Sequence, residues 1–345
     1  MFKISILLFC VLGVLCLTQE EADEPGEDDT KDDLSVLECP PFLLKNATPL
    51  SPCICHEGLD DDAIFIECNG LLAPKQLKQI TMKLGRRRID ALEIKESNLP
   101  HLIRQLLGGN AIETIFMRNN SINSVDPTAF AGSENLAQRI DLSANNIQDF
   151  KFEMFNQFSE LTVLNLGENK LTKITSAGQI QNLHVLYLYM NKIETIEPGA
   201  FNLLEGLEYL DLRWNDLKQL PLGALTVPSP RWQLRIRNNE LPTLEGAFQG
   251  GVVPFLVEAS YNSITQLKEE VYRPVLEGAM TEGAQLYLEG NLLQCDCDVA
   301  WLVTNITLRR FVDNAVCSGS MSNIQDLMPE EFETCQGFEP TTESV

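Results

Sequence analysis

The chain has 345 residues, with 49 Asp and Glu against 26 Lys and Arg, a formal net charge of −23. So strong an acidic balance disfavours a nucleic-acid partner, because the phosphate backbone is bound through an excess of cations. Only three histidines occur, His56, His101 and His184, scattered along the chain, which leaves little for imidazole-based catalysis or a histidine metal site.

Residues 1–18, MFKISILLFCVLGVLCLT, place Lys3 before an uncharged apolar run. This is the layout of a secretory signal peptide, too short for a stable membrane span, with cleavage expected near Thr18. Residues 19–38 follow as an acidic segment. Between Glu20 and Asp33 it has nine acids and one lysine, a composition that cannot build a core and is expected to be disordered and solubilising.

Ten cysteines occur, and Cys10 and Cys16 fall within the signal. The other eight form two blocks of four, Cys39, Cys53, Cys55, Cys68 and Cys295, Cys297, Cys317, Cys335. In a secreted chain such blocks predict disulfides, with three pairings open in each block. Zinc at Cys53-Ile-Cys55-His56 is disfavoured by the C-x-C spacing and by an oxidising compartment, so no metal and no cofactor are expected. Residues 39–90 are assigned to an N-terminal cap. Within it, LLAPKQLKQITMKLG suits a short amphipathic helix ending near Gly85. The run Arg86-Arg87-Arg88 is read as a solvated edge rather than a processing site or an anion patch.

From 91 to 293 one phrase returns. It reads IETIFMRNNSI, QRIDLSANNI, LTVLNLGENKL, LHVLYLYMNKI, LEYLDLRWNDL, WQLRIRNNEL, FLVEASYNSI and AQLYLEGNLL, and an imperfect first copy, ALEIKESNLPHL, has Ser97 in place of the asparagine. The asparagines, Asn120, Asn145, Asn169, Asn191, Asn215, Asn239, Asn262 and Asn291, are 25, 24, 22, 24, 24, 23 and 29 residues apart. Apolar residues two apart share one face of a short strand, and the asparagine amide has both a donor and an acceptor for the buried backbone beyond it. Phe130, Phe155, Phe201 and Phe248 recur as a second apolar column. A fixed period in the twenties with this wording is that of leucine-rich repeats, in which no coil can bury its leucines alone. The expected fold is α/β: a solenoid, curved as a horseshoe, with about nine strands forming a parallel sheet on its concave face. Helical turns are expected at FKFEMFNQFSE and LKEEVYRPVLEGAMTEG.

Residues 294–335 form the C-terminal cap, with Trp301 on a short helix over the last coil, and 336–345 a tail without a lipid-anchor signal or apolar span. A secreted, extracellular protein is expected. Sequons stand at Asn46, Asn305 and Asn119.

No nucleophile elbow, metalloprotease helix or phosphate-binding glycine loop is present, and an open solenoid has no dry pocket for a carboxylate pair, so the chain is expected not to be an enzyme. The variable positions of the concave face are more telling. Tyr187, Tyr189, Tyr209, Asp211, Arg213, Gln233, Arg235 and Arg237 fall on three neighbouring repeats, with Trp214 at the strand edge. Tyrosine, tryptophan and arginine are the residues of interface hot spots, so this patch is the candidate protein-binding site.

The array with both cysteine blocks resembles secreted extracellular leucine-rich-repeat proteins, and CDCDVAWL with Cys317 and Cys335 is similar to the cap of Slit-type ligands. The wordings CPPFLLKNATPLSPCICHEGLDDDAIFIECNGL and VYRPVLEGAMTEGAQLYLEGNLLQCDCDVAWL look like an arthropod family named for the non-catalytic subunit of Oplophorus-type shrimp luciferase. In that enzyme a separate small subunit oxidises coelenterazine. The resemblance implies the pairings Cys39–Cys55, Cys53–Cys68, Cys295–Cys317 and Cys297–Cys335. It implies a partner that is a small secreted catalytic subunit, or, in the Slit-like alternative of a recognition, adhesion or signalling ligand, a cell-surface receptor. It supplies no catalytic residue.

Overall fold

The structure, a computed structural model, describes residues 39–44, 52–57 and 63–335. The expected signal peptide, acidic segment, C-terminal tail and Asn46 lie outside the described residues.

Period-two alternation builds the main sheet. Its strands are β1 (Cys53–Glu57), β2 (Ile64–Asn69), β3 (Arg88–Lys95), β4 (Ala111–Phe116), β5 (Arg139–Asp141), β6 (Val163–Asn165), β7 (Val185–Tyr187), β8 (Tyr209–Asp211), β9 (Gln233–Arg235), β10 (Leu256–Glu258), β11 (Leu286–Tyr287) and β12 (Val312–Asp313). They lie side by side in chain order, and all neighbours are parallel except the β1–β2 hairpin. Leu164, Leu186, Leu210, Leu234 and Val257 are in register across successive strands and fully buried. One residue per coil thus feeds a continuous apolar column. β1 and β2 belong to the N-terminal cap and β12 to the C-terminal cap, so the nine strands between them are those of the repeats.

The asparagines hold the turn after each strand. Asn215 accepts a hydrogen bond from the Ile193 amide at 3.0 Å and donates to the carbonyls of Leu188 and Leu212, each at 3.0 Å. Asn169, Asn191, Asn239 and Asn262 repeat this pattern, each bridging its own coil and the one before. Ser97 performs a reduced version in the first coil, where its hydroxyl accepts from the Leu71 amide and donates to the Lys95 carbonyl. The residue before each ladder position is left-handed: Glu96, Asn119, Ala144, Glu168, Met190, Trp214, Asn238 and Tyr261 have φ between 46° and 57°, and Gly290 has 73°.

On the far side Phe130, Phe155, Phe201 and Phe248 are buried, the first two stacked with centroids 5.7 Å apart. The column is interrupted between them, where Ile180 and Leu225 fill the core. FKFEMFNQFSE contains a single 3₁₀ turn, Phe152–Phe155. LKEEVYRPVLEGAMTEG forms more than the expected turn. It is a 14-residue helix, α2 (Glu269–Glu282), whose Val271, Tyr272, Val275, Leu276 and Ala279 face the core. The longer interval before Asn291 supplies the extra residues, and Gly283 ends the helix in the left-handed conformation.

Each cap carries two disulfides, Cys39–Cys55 with Cys53–Cys68, and Cys295–Cys317 with Cys297–Cys335. The amphipathic segment before the arginine run is α1 (Pro74–Leu84), with Gly85 as its left-handed C-cap. Trp301 lies in the short helix Ala300–Thr304, donates its indole N–H to the Leu267 carbonyl at 2.7 Å and receives the Arg273 guanidinium on its ring.

Candidate functional site on the sheet face

Side chains that alternate with the buried leucines point from the sheet, and β7, β8 and β9 bring the candidate residues together. Parallel register sets Tyr187 beside Asp211 and Asp211 beside Arg235, and Tyr209 beside Gln233. Tyr187 packs edge-on against Tyr189 at 6.0 Å between centroids and tilted against Tyr209 at 5.6 Å. The Tyr189 ring lies over the previous coil at Gly167, where a Cβ would fall 2.5 Å from it, so only glycine admits the ring there. Burial pushes the hydroxyls of Tyr187, Tyr189 and Tyr209 up from the ordinary tyrosine range. They are neutral phenols that can donate and accept.

Outward-pointing does not mean exposed. Asp141, Ser143, Asn165 and Asp211 point from the sheet yet are buried, because longer neighbours fold over them. Asp211 is clamped by Arg213, whose Nε reaches Oδ1 at 2.9 Å and whose terminal nitrogen reaches Oδ2 at 2.7 Å. This pairing raises the guanidinium pKa beyond its already high value. Glu258 on β10 takes Arg235 at 3.0 Å and Arg237 at 3.4 Å, and Arg237 also lies over the Tyr261 ring. Three arginines therefore face two carboxylates, and the patch is close to neutral rather than basic. Glu258 was visible in the sequence as an outward residue of the next repeat, but its reach back across β9 was not.

Arg213 is thereby structural as well as partly exposed. Arg213→Ala would strand the buried Asp211 carboxylate and should lower stability by about 2 kcal/mol, discounted because Arg213 itself is partly solvated. Asp211→Asn in that background should recover part of the loss in a urea titration; no recovery would show that the pair is not coupled.

Large apolar side chains rim the patch. Trp214 is 54% exposed and Met190 51%, and both occupy the left-handed position before a ladder asparagine. Tyr261 holds the same position in its coil, with its hydroxyl 2.6 Å from Glu289. Met190 and Tyr261 were not among the sequence candidates, although aligning the repeats on the asparagine puts them in Trp214's column. Arg139, on β5, adds a buried Nε without a hydrogen-bond acceptor among the described residues. Of the sequons, Asn119 is exposed beside buried Asn120. Asn305 caps a short helix through its side-chain oxygen, which accepts from the Leu308 amide, an arrangement that leaves its nitrogen free of that bond.

The family model of the leucine rich repeat matches residues 175–217, the stretch that contains β7 and β8. The fold is that of a leucine-rich-repeat solenoid with a disulfide-linked cap at each end. Along nearly its whole length the repeat protein is similar to the Oplophorus-luciferin 2-monooxygenase non-catalytic subunit of Oplophorus gracilirostris, 25% identical over 97% of this chain and 99% of that one. It is also similar to lumican of Gallus gallus, 27% identical over 45% of this chain and 52% of lumican. Among solved structures, a chain of the octameric complex of Latrophilin 3, Unc5D and FLRT2 superposes with a TM-score of 0.53 at 16% identity, covering 81% of this chain and 92% of that chain, which establishes likeness of fold. Among the described residues no helix is long and apolar enough to cross a membrane, and no cluster of three or more His, Cys, Asp or Glu is placed to hold a metal ion.

Proposed function

We propose that this leucine-rich-repeat protein is a secreted, non-catalytic binding protein that captures a protein partner on its concave face and stabilises it, as the accessory subunit of a secreted luciferase-type enzyme. The observation that carries the proposal is the packed Tyr187–Tyr189–Tyr209 cluster and the fixed guanidinium of Arg213, with the half-exposed Trp214 in the turn just after β8. Aromatic rings held by their neighbours lose little entropy on binding, and neutral phenols can pair with either polarity of partner group. The clamped arginines present N–H groups in a set geometry, so specificity rests on shape and hydrogen bonding more than on net charge. Supporting the accessory role is the similarity to a named non-catalytic subunit over nearly the whole of both chains. Four disulfides suit an oxidising, extracellular setting.

The test uses substitutions that neighbouring coils already tolerate. Asn238 occupies Trp214's column and Gln233 pairs with Tyr209 across the sheet, so Trp214→Asn with Tyr209→Gln should leave the fold intact. Capture of the native partner from the protein's own secretion should fall by on the order of 30-fold, the loss of a hot spot, with the thermal midpoint little moved. Undiminished capture would remove this face from the site. Co-purification with a stoichiometric small secreted subunit supports the accessory role, whereas recovery of a cell-surface receptor favours an extracellular recognition ligand.

A further inference from the structure

The first coil and its covering helix have the opposite charge to the rest of the molecule. Residues 70–110 contain eight of the 26 Lys and Arg and three of the 49 acids. Some of these cations are consumed locally. Arg88 pairs with Asp90 and Glu113, Lys95 with Glu67 and Glu93, and Arg87 donates to the Leu84 carbonyl. Lys78, Arg86 and Arg104 have no carboxylate of the described residues within 4 Å.

Lys78 and Arg86 line one groove, and Arg104 lies beside it, within electrostatic reach of Asp126 as Lys78 is. The groove measures ≈ 780 Å³ and runs between α1 and the turns of the next two coils, lined by Lys78, Met82, Arg86 and Gln105 and a floor of glycines. Lys78 donates to the Arg104 carbonyl at 2.7 Å, which fixes its ammonium at one end. Arg86 occupies the other end, its Nε 3.6 Å from where a Cβ on Gly109 would stand. The bare floor has its own packing reason. Gly132, at φ +104°, sits so close to the coil before it that a Cβ would fall 2.5 Å from the Gly109 carbonyl carbon. No carboxylate of the described residues lines the groove, and two acids, Asp126 and Glu134, lie beside its lining. The first is held by Thr128, with Arg104 and Lys78 adding to the stabilisation of its charge, and the second accepts from the Gly132 amide. At physiological salt a Debye length of about 8 Å separates this patch from the distant acids that dominate the net charge.

We propose that this groove, remote in sequence from the concave-face patch, binds a sulfated polysaccharide. The Lys78 ammonium and the Arg86 guanidinium at opposite ends match the spaced anions of such a chain, and sulfate oxygens accept charge-assisted hydrogen bonds from both, with the exposed Arg104 adding charge beside them. The groove lining has no aromatic side chain, whereas single-stranded nucleic acid is held by stacking on such rings. The basic run Arg86-Arg87-Arg88, read from sequence as a solvated edge, thereby contributes Arg86 to a site.

A heparin oligosaccharide is the probe, titrated calorimetrically into the full protein across a salt series. Lys78→Gln/Arg86→Gln/Arg104→Gln should raise Kd at least about tenfold and lower the slope of log Kd against log salt by roughly two, by analogy with counterion release from a single strand. Lys151→Gln/Lys170→Gln/Lys173→Gln removes the same charge elsewhere and should change Kd less than about twofold. Arg86→Lys/Arg104→Lys should retain most of the binding. If the triple variant misfolds, exposed Arg86→Gln alone should still weaken binding about threefold. No binding by the unaltered protein, equal losses in both triple variants, or an oligonucleotide of matched charge binding as tightly would each overturn the proposal.

Discussion

Asn215→Leu should lower the stability of the array by about 3–6 kcal/mol. The substitution keeps the branching at Cγ, but it strands the Ile193 amide and removes one of the two ladder bonds to each of the Leu188 and Leu212 carbonyls, which retain Asn191 and Asn239. A buried backbone group left without a partner costs about 1–3 kcal/mol, and a domain has only about 5–15 kcal/mol in reserve. The loss falls on an interface between two coils, so it should divide the array's unfolding rather than shift it as a block. Asn215→Ser should recover part of the loss, since Ser97 already serves one amide and one carbonyl in the first coil. Guanidinium titration followed by far-UV circular dichroism reads all three proteins. A midpoint for Asn215→Leu equal to that of the unaltered protein would mean that the ladder is not what holds the coils together.

The second large effect is expected at the C-terminal cap. Cys297 and Cys335 close a loop with a separation of 38 residues, which the chain-entropy relation makes worth about 4 kcal/mol. Cys297→Ser/Cys335→Ser should therefore release the cap and uncover Leu293 beneath it and its own buried Leu302, Val303 and Leu308. Limited proteolysis should then cut first between 294 and 335 while the central coils resist. Cysteine removal without new cleavage there would show that packing of Trp301 and α2 holds the cap unaided.

How far the sequence discloses this molecule depends on the range of the interaction. The strand pairs and ladder asparagines are legible because each is a local pattern with a physical period, two along the strand and one coil along the array. The far-side phenylalanines are legible only as a broken series, since Ile180 and Leu225 fill the same core without the same letter. α2 exceeds the turn expected from its segment because its burial depends on the surface presented by the coils beneath. The sheet-face patch was legible as composition, and its residues do lie together. Its electrostatics were not, because the Arg235–Glu258 and Arg237–Glu258 pairs join different strands. The groove was missed for the same reason: Lys78 and Arg86 face Gln105, Gly109 and Gly132 only when α1 lies against the next coils.

The left-handed column before the ladder has an evolutionary consequence. Asn119, Ala144, Glu168, Met190, Trp214, Asn238, Tyr261 and Gly290 share one backbone conformation while ranging from no side chain to an indole. The adjoining asparagine carries the fold, so, apart from Gly290, where a Cβ would meet the Tyr261 ring, mutation at these sites is judged more by what the rim meets than by stability. Gene copies could thus drift toward new partners by rewriting a handful of letters, with the scaffold passed on unaltered.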